Sequence, residues 1–228
     1  MRIAEIYHSI QGEGLLTGTP SVFIRTSGCN LRCWFCDTPF TSWKPEGETL
    51  LLDEILQRVA TWDCRHVVLT GGEPMLWEKV VDLCAELKAM GKHITIETAG
   101  TIFRPTPCDL MSISPKLKNS TPSSEIAGHW HAKHEQTRHR PDVVSDLIQL
   151  SDYQLKFVID TLQDAEEVLD YLNLLTNIDR ERVLLMPQGM TLPELETRSQ
   201  WLIPWCRDHE LRFCERAHIH WFGGKRGT

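Results

Sequence analysis

Short apolar segments alternate with stretches whose apolar residues recur at helical spacing, and this alternation restricts the fold of the chain more than any other feature. Val22 to Arg25 reads as a strand that runs into a loop of cysteines, and Leu52, Ile55, Leu56 and Val59 then recur as a helical stripe. Val67 to Thr70 is a compact strand stopped by Gly71-Gly72-Glu73-Pro74. Leu76, Val80, Leu83 and Leu87 form the next stripe, and Gly91 is placed to end it. His93 to Thr98 and Leu110 to Ser114 read as strands, the second stopped by Pro115-Lys116. Gln154 to Ile159 is another, followed by a helix with Val168, Leu169, Leu172 and Leu175 on one face. After a strand at Val183 to Met186, Thr191 and Glu194 have capping-box spacing for a helix carrying Leu195, Leu202 and Cys206. Arg212 to Cys214 and His218 to Phe222 read as strand-like pieces.

Strands separated by helices imply βαβ units, so the expected class is α/β, with about six parallel strands curled by right-handed crossovers into an open partial (β/α) barrel. Chemistry in such barrels gathers at the C-terminal ends of the strands. Residues 119–141 interrupt the rhythm and are expected to form a polar insertion in a single domain spanning 1–228. Its histidines, His129, His131, His134 and His139, look metal-like but fit a solvated segment.

The formal net charge of -7 argues against duplex nucleic acid as the main partner, because phosphate binding needs basic clusters. No apolar run is long enough for a membrane span, and Met1 to Tyr7 lacks the apolar core of a signal peptide. The expected location is therefore the cytoplasm, where thiols stay reduced and the 8 cysteines would not form a disulfide framework. Three of them crowd into Cys29-x3-Cys33-x2-Cys36, while Cys84 and Cys206 lie on apolar stripes and read as core thiols.

Three thiolates can hold three irons of a cubane and leave the fourth open to an outside ligand, as a cluster acting on a substrate requires. A structural zinc site normally closes with a fourth ligand, which no nearby residue supplies, although Cys64, Cys108 or a histidine can fold in from a distance. Spacing alone leaves a zinc knuckle or unligated thiols open. In the same way, Gly71-Gly72-Glu73-Pro74 taken by itself reads as a strand-to-helix turn.

Context narrows the choice. The string Gly28-Cys29-Asn30-Leu31-Arg32-Cys33-Trp34-Phe35-Cys36-Asp37-Thr38 resembles the cluster loop of the radical S-adenosylmethionine (SAM) superfamily, and Gly71-Gly72-Glu73-Pro74 resembles its second motif. Ser9-Ile10-Gln11-Gly12-Glu13-Gly14, Cys36-Asp37-Thr38, Ser114-Pro115-Lys116 and the tail Arg216-Ala217-His218-Ile219-His220-Trp221-Phe222-Gly223 are similar to the signature of 7-carboxy-7-deazaguanine synthases. The resemblance runs along nearly the whole chain. It implies a partial barrel of the radical SAM type that converts 6-carboxy-5,6,7,8-tetrahydropterin to 7-carboxy-7-deazaguanine with loss of ammonia, a step toward queuosine. The implied route begins with reductive cleavage of SAM to a 5′-deoxyadenosyl radical, which takes hydrogen from C6 of the pterin.

The same resemblance implies residue roles. Cys29, Cys33 and Cys36 would ligate a [4Fe–4S] cluster, and Thr38 would give Mg²⁺ a hard oxygen ligand. Phe35, Cys36, Asp37, Gly72, Glu97, Ser114, Pro115, Lys116, Met186, Pro187, Gln188 and Gly189 would meet SAM. Ile10, Gln11, Gly12, Glu13, Thr70, His218 and Thr228 would meet the pterin. Arg25 would pair with its carboxylate, an anion that suits the guanidinium fork. A flavodoxin or ferredoxin as electron donor and a homodimer are also implied.

Plainer readings stand beside these. Arg25 can be a surface strand residue, Thr38 a helix N-cap, Glu97 a solvated strand end and the tail Gly223 to Thr228 frayed. His218 and His220 alternate along the expected strand, so one would face solvent. Two rival functions remain: an activating enzyme that places a glycyl radical on a partner protein, and a non-enzymatic iron–sulfur or zinc module.

Overall fold

The computed structural model describes residues 1–228 and is built on one nine-stranded sheet. In chain order its strands are β1 (Arg2–Ile10), β2 (Pro20–Thr26), β3 (Glu48–Thr49), β4 (His66–Gly71), β5 (His93–Thr98), β6 (Leu110–Ile113), β7 (Tyr153–Ile159), β8 (Val183–Pro187) and β9 (Arg212–Phe213). Their order across the sheet is β3-β1-β2-β4-β5-β6-β7-β8-β9. From β2 to β9 every pairing is parallel, whereas β1 joins β2 and β3 in antiparallel fashion. The two edge strands do not pair with each other, so the sheet stays open, as expected for a partial barrel.

The helices are α1 (Leu52–Ala60), α2 (Val80–Ala89), α3 (Ser124–Ala127), α4 (His129–Arg138), α5 (Pro141–Ile148), α6 (Leu162–Leu172), α7 (Leu192–Asp208) and α8 (Ala217–Phe222). Strand side chains alternate between two faces. Val22 and Ile24, Val67 and Leu69, Ile94 and Ile96, and Leu155 and Phe157 belong to one core of 34 buried residues. Ile55 and Val59 of α1, Leu83 and Leu87 of α2, Val144 of α5, Val168 of α6 and Leu202 of α7 complete that core. The opposite face carries Phe23, Arg25, Val68, Thr70, Glu97, Lys156, Val158 and Met186, all lining one cavity. The expected capping box forms at the start of α7, where the Thr191 amide donates to Glu194 at 3.0 Å.

Two sequence expectations are corrected. His218 to Phe222 lies in α8, because the chain turns at Arg216 and docks Ala217 and Ile219 inward instead of extending the sheet. Residues 119–141 hold α3, α4 and the first residue of α5, and His134 is fully buried, so the insertion is not simply solvated. β1, which the apolar pattern does not announce, caps the parallel sheet by pairing with β2 from Ile3 to Ile10, with one irregularity between Ile3 and Glu5.

Candidate active site

The cavity at the C-terminal ends of the parallel strands encloses about 330 Å³. It gathers Cys29, Cys33, Phe35, Cys36, Asp37, Thr38, Gly72, Glu97, Ser114, Lys116, Met186 and Gln188 with Ile10, Gln11, Gly12, Glu13, Arg25, Thr70, His218 and Thr228. Three of the expected contacts are not brought there. Pro115 and Pro187 stand outside the lining, and Gly189 instead gives its carbonyl to Arg216 Nη1 at 2.6 Å. Alternation along β8 puts Met186 on the cavity side and turns Pro187 away.

At one end the three cysteines pack with Leu31, Phe35 and Ala99 in a small apolar cluster, and none is in a disulfide. Burial pushes the Cys33 thiol up to about 12 and raises Cys29 and Cys36 as well. Such thiols are poor nucleophiles and inert as acids at neutral pH. A bound cation would reverse that balance by stabilising the thiolates. No set of three or more His, Cys, Asp or Glu side chains is close enough to surround a single metal ion. A trio of unpaired thiols facing a chamber fits a larger inorganic group with one side open.

Two glycines let the next strand approach this loop. Gly71 sits at φ 136°, and a Cβ on either Gly71 or Gly72 would collide with main chain at Thr26 or Gly28. The following residue, Glu73, is fully buried. It accepts from the amides of Met75 (3.0 Å) and Ala99 (2.9 Å) and from the Thr98 hydroxyl (2.8 Å), which locks the turn to the end of β5.

Charged groups crowd the other end. Lys156 Nζ, on β7, lies 3.0 Å from Glu13 and 2.9 Å from Glu97, with only 3% of its side chain exposed. Glu97 also accepts from Ser112 (2.9 Å) and Gln11 (3.3 Å). Glu13 accepts from Arg216 at 3.1 Å, and Arg216 reaches Asp37 beside the cysteine loop. Burial would push the Glu13 carboxyl up, but Lys156 and Arg216 overcome it and hold the group well below the usual carboxylate range. Burial likewise opposes the charge of Lys156, and Glu97 and Glu13 more than restore it.

Arg25 lies across from Glu5 in the β1–β2 register, donating to it at 2.7 Å and to the Tyr7 hydroxyl at 2.7 Å. The guanidinium therefore has an internal carboxylate already and is not a bare surface residue. Thr38 occupies the N-cap position of a short 3₁₀ turn at Pro39–Thr41, but its side chain makes no capping bond there. Glu97 is engaged on several sides and not merely solvated. The tail is tied down as well: Arg226 pairs with Glu5 (3.0 Å) and Glu46 (2.8 Å) and lies 3.9 Å from the Phe40 ring centroid.

The sequence reading missed Lys156, Arg216, Glu5 and Tyr7 as cavity residues. A usable signal existed for Lys156: polar Gln154 and Lys156 alternate with apolar Leu155 and Phe157 in a strand buried on both faces.

An open α/β sheet with a three-cysteine loop after its first parallel strand defines a radical SAM fold, and the Radical SAM superfamily pattern matches residues 23–115. The chain is 46% identical to 7-carboxy-7-deazaguanine synthase from Rhodopirellula baltica, over 99% of this chain and 88% of that one. It is 44% identical to the enzyme of the same name from Halobacterium salinarum, over 95% and 88%. The crystal structure of QueE from Escherichia coli superposes with a TM-score of 0.73 at 25% identity, covering 95% of this chain and 94% of that one. The chain belongs to the 7-carboxy-7-deazaguanine synthase family. Membership implies an iron–sulfur cluster and SAM.

Proposed function

We propose that residues 1–228 act as one radical SAM domain that converts 6-carboxy-5,6,7,8-tetrahydropterin to 7-carboxy-7-deazaguanine and ammonia, as the names of its relatives suggest. The observation that carries this reading is the shared cavity, in which the cysteine loop faces a chamber walled by fixed carboxylates and guanidinium groups. In this reading Cys29, Cys33 and Cys36 hold a [4Fe–4S] cluster, which when bound supplies the electron that cleaves SAM to a carbon radical. Gly72, Phe35, Asp37, Glu97, Ser114, Lys116, Met186 and Gln188 hold SAM. Glu97 is ion-paired with Lys156 at 2.9 Å, which fixes its oxygens in a position suited to accept from ribose hydroxyls.

The pterin lies toward Gln11, Gly12, Glu13, Thr70 and His218, with its carboxylate at Arg25. Arg25 Nη1 makes no hydrogen bond to protein, because Nε and Nη2 hold Glu5 and Tyr7, so one donor is free for that anion. Thr38, half-buried in the lining, supplies a hard oxygen for Mg²⁺ beside it. The Gln11 side chain accepts from the amides of Gly12 (2.9 Å) and Glu13 (3.3 Å) and so shapes the loop that cups the ring. A flavodoxin or ferredoxin as donor, a homodimer and a cytoplasmic setting complete the proposal; no helix is long and apolar enough to cross a membrane.

The test is anaerobic reconstitution with iron and sulfide, then incubation with SAM, dithionite and the carboxytetrahydropterin, with and without Mg²⁺. Mass spectrometry should find 7-carboxy-7-deazaguanine rising as the pterin falls, with one ammonia per turnover. Cleavage of SAM with the pterin untouched would overturn the substrate and favour a glycyl-radical activating role. Absence of iron and of SAM cleavage would overturn the whole reading.

A further inference from the structure

The insertion is packed against the cysteine loop from behind. The Trp34 amide donates to the Ser120 carbonyl at 3.2 Å, and Trp34 Nε1 donates to the Asn119 carbonyl at 2.6 Å. The Arg32 amide donates to His134 Nδ1 at 3.1 Å. The tautomer of His134 follows from its neighbours. Ser120 Oγ spends its proton on the Leu117 carbonyl (2.7 Å), so it accepts from His134 Nε2–H (2.9 Å) and leaves Nδ1 as an acceptor. His134 is therefore neutral and has a partner at each ring nitrogen.

These contacts fix Arg32, a residue between the first two cysteines that is only 8% exposed. Its guanidinium lies 3.7 Å from the Trp130 ring centroid, and its Nη1 donates to the carbonyls of Cys29 (2.8 Å) and Leu31 (2.7 Å). It has no carboxylate partner, unlike Arg25, Arg138 and Arg216. The acidic groups near enough to act on its charge are the sulfurs of Cys29, Cys36 and Cys33. A buried cation with no counter-ion is costly to keep. An anionic cluster on those sulfurs would be the missing counter-charge.

We propose that Arg32 is a positioning and charge-setting residue for the cluster, held in place by Trp130 and His134 of the insertion, and that it makes the cluster easier to reduce. Reduction adds one electron, supplied by a low-potential one-electron donor, and no proton. The added negative charge then interacts with a fixed cation across a poorly solvated gap, which favours the reduced state and raises the midpoint potential. The proposal rests on the cluster reading given above. If the reconstituted parent protein binds no iron, that reading fails before any potential is compared.

The experiment is an EPR-monitored redox titration of reconstituted protein without substrate, with iron content measured for each variant. Arg32→Gln should retain iron and shift the midpoint potential to a more negative value, while Arg32→Lys should restore part of the shift. Trp130→Leu uncaps the guanidinium without touching the loop and should produce a smaller shift in the same direction. Full iron with an unchanged potential in Arg32→Gln would overturn the proposal. If Arg32→Gln loads no iron, Trp130→Leu decides alone: a negative shift supports the proposal, and an unchanged potential at full iron overturns it.

Discussion

At the cysteine end of the cavity, Cys29, Cys33 and Cys36 sit among Leu31, Phe35 and Ala99, with the Arg32 guanidinium behind the loop and Lys116 and Asp37 near enough to act on the Cys33 sulfur. At the other end, Glu97, Lys156, Glu13, Arg216 and Asp37 form an unbroken run of ion pairs. The first arrangement surrounds its thiols mainly with apolar groups, which suits the proposed cluster. The second is already paired internally, three carboxylates with two cations, so it presents fixed dipoles and charges to an incoming polar molecule without needing to rearrange. An apolar end and a preorganised polar end are thus held in one chamber, which suits the proposed cluster at the first and the proposed ligands at the second.

The largest expected effect lies at the cysteine end. Changing any one of Cys29, Cys33 or Cys36 to Ala should remove the visible absorption of the cluster and all turnover, while single Ala changes at Cys84, Cys108 or Cys206 leave the iron in place. Full iron in any of the three loop variants would mean that the apolar end is not the cluster site.

Lys156→Met breaks the charged end at its centre. It leaves Glu97 without its cation and Glu13 with Arg216 alone, and removing one member of a buried ion pair typically costs about 3–5 kcal/mol. The melting temperature should fall accordingly, and activity should vanish with the iron complement intact. A variant as stable and active as the parent would show that the run of ion pairs does not hold the site together.

Arg25→Ala tests where the two ends meet. Loss of a desolvated charge pair with the substrate carboxylate, at roughly 2–5 kcal/mol, predicts a rise in pterin KM of at least about thirtyfold. SAM binding and the cluster should be little changed, and Arg25→Lys should recover little, because an ammonium cannot satisfy Glu5, Tyr7 and a ligand together. The internal Glu5 pair gives this test a second edge. If Arg25→Ala unfolds the β1–β2 pairing and loses iron, the guanidinium serves the sheet and the substrate carboxylate is held elsewhere.

The same contrast explains what could be read from sequence. The cysteine end is written locally: Cys29-x3-Cys33-x2-Cys36 lies within one loop, and Gly71-Gly72 marks a close main-chain approach. Strand ends were legible for the same reason, since alternation and turn residues are short-range signals. The charged end is joined across great separations. Glu13 meets Lys156 at 143 positions and Arg216 at 203, and no local pattern announces either contact. α8 was misread because Ala217 to Phe222 is too short to show a helical period. β1 was overlooked because its inward residues Glu5 and Tyr7 are polar.

The smallest expected effect concerns His134, which stands behind the apolar end. Burial lowers its pKa to about 4 from an ordinary value near 6.5, and protonation would also abolish the acceptor that Nδ1 offers to the Arg32 amide. The folded state thus binds this proton less readily than the unfolded chain. Between pH 6.5 and about 4 the unfolded state holds more protons, so stability rises with pH in that window. The contribution is complete above 6.5 and is lost as pH falls through the folded value. Thermal melts of the reconstituted protein at several pH values from 7 down to 4.5 should show a decline that is shallower in His134→Asn, whose amide keeps one hydrogen bond but has no proton to gain. Parallel curves for parent and variant would mean that acid acts elsewhere, and that the contact between the insertion and the cysteine loop does not depend on a neutral ring.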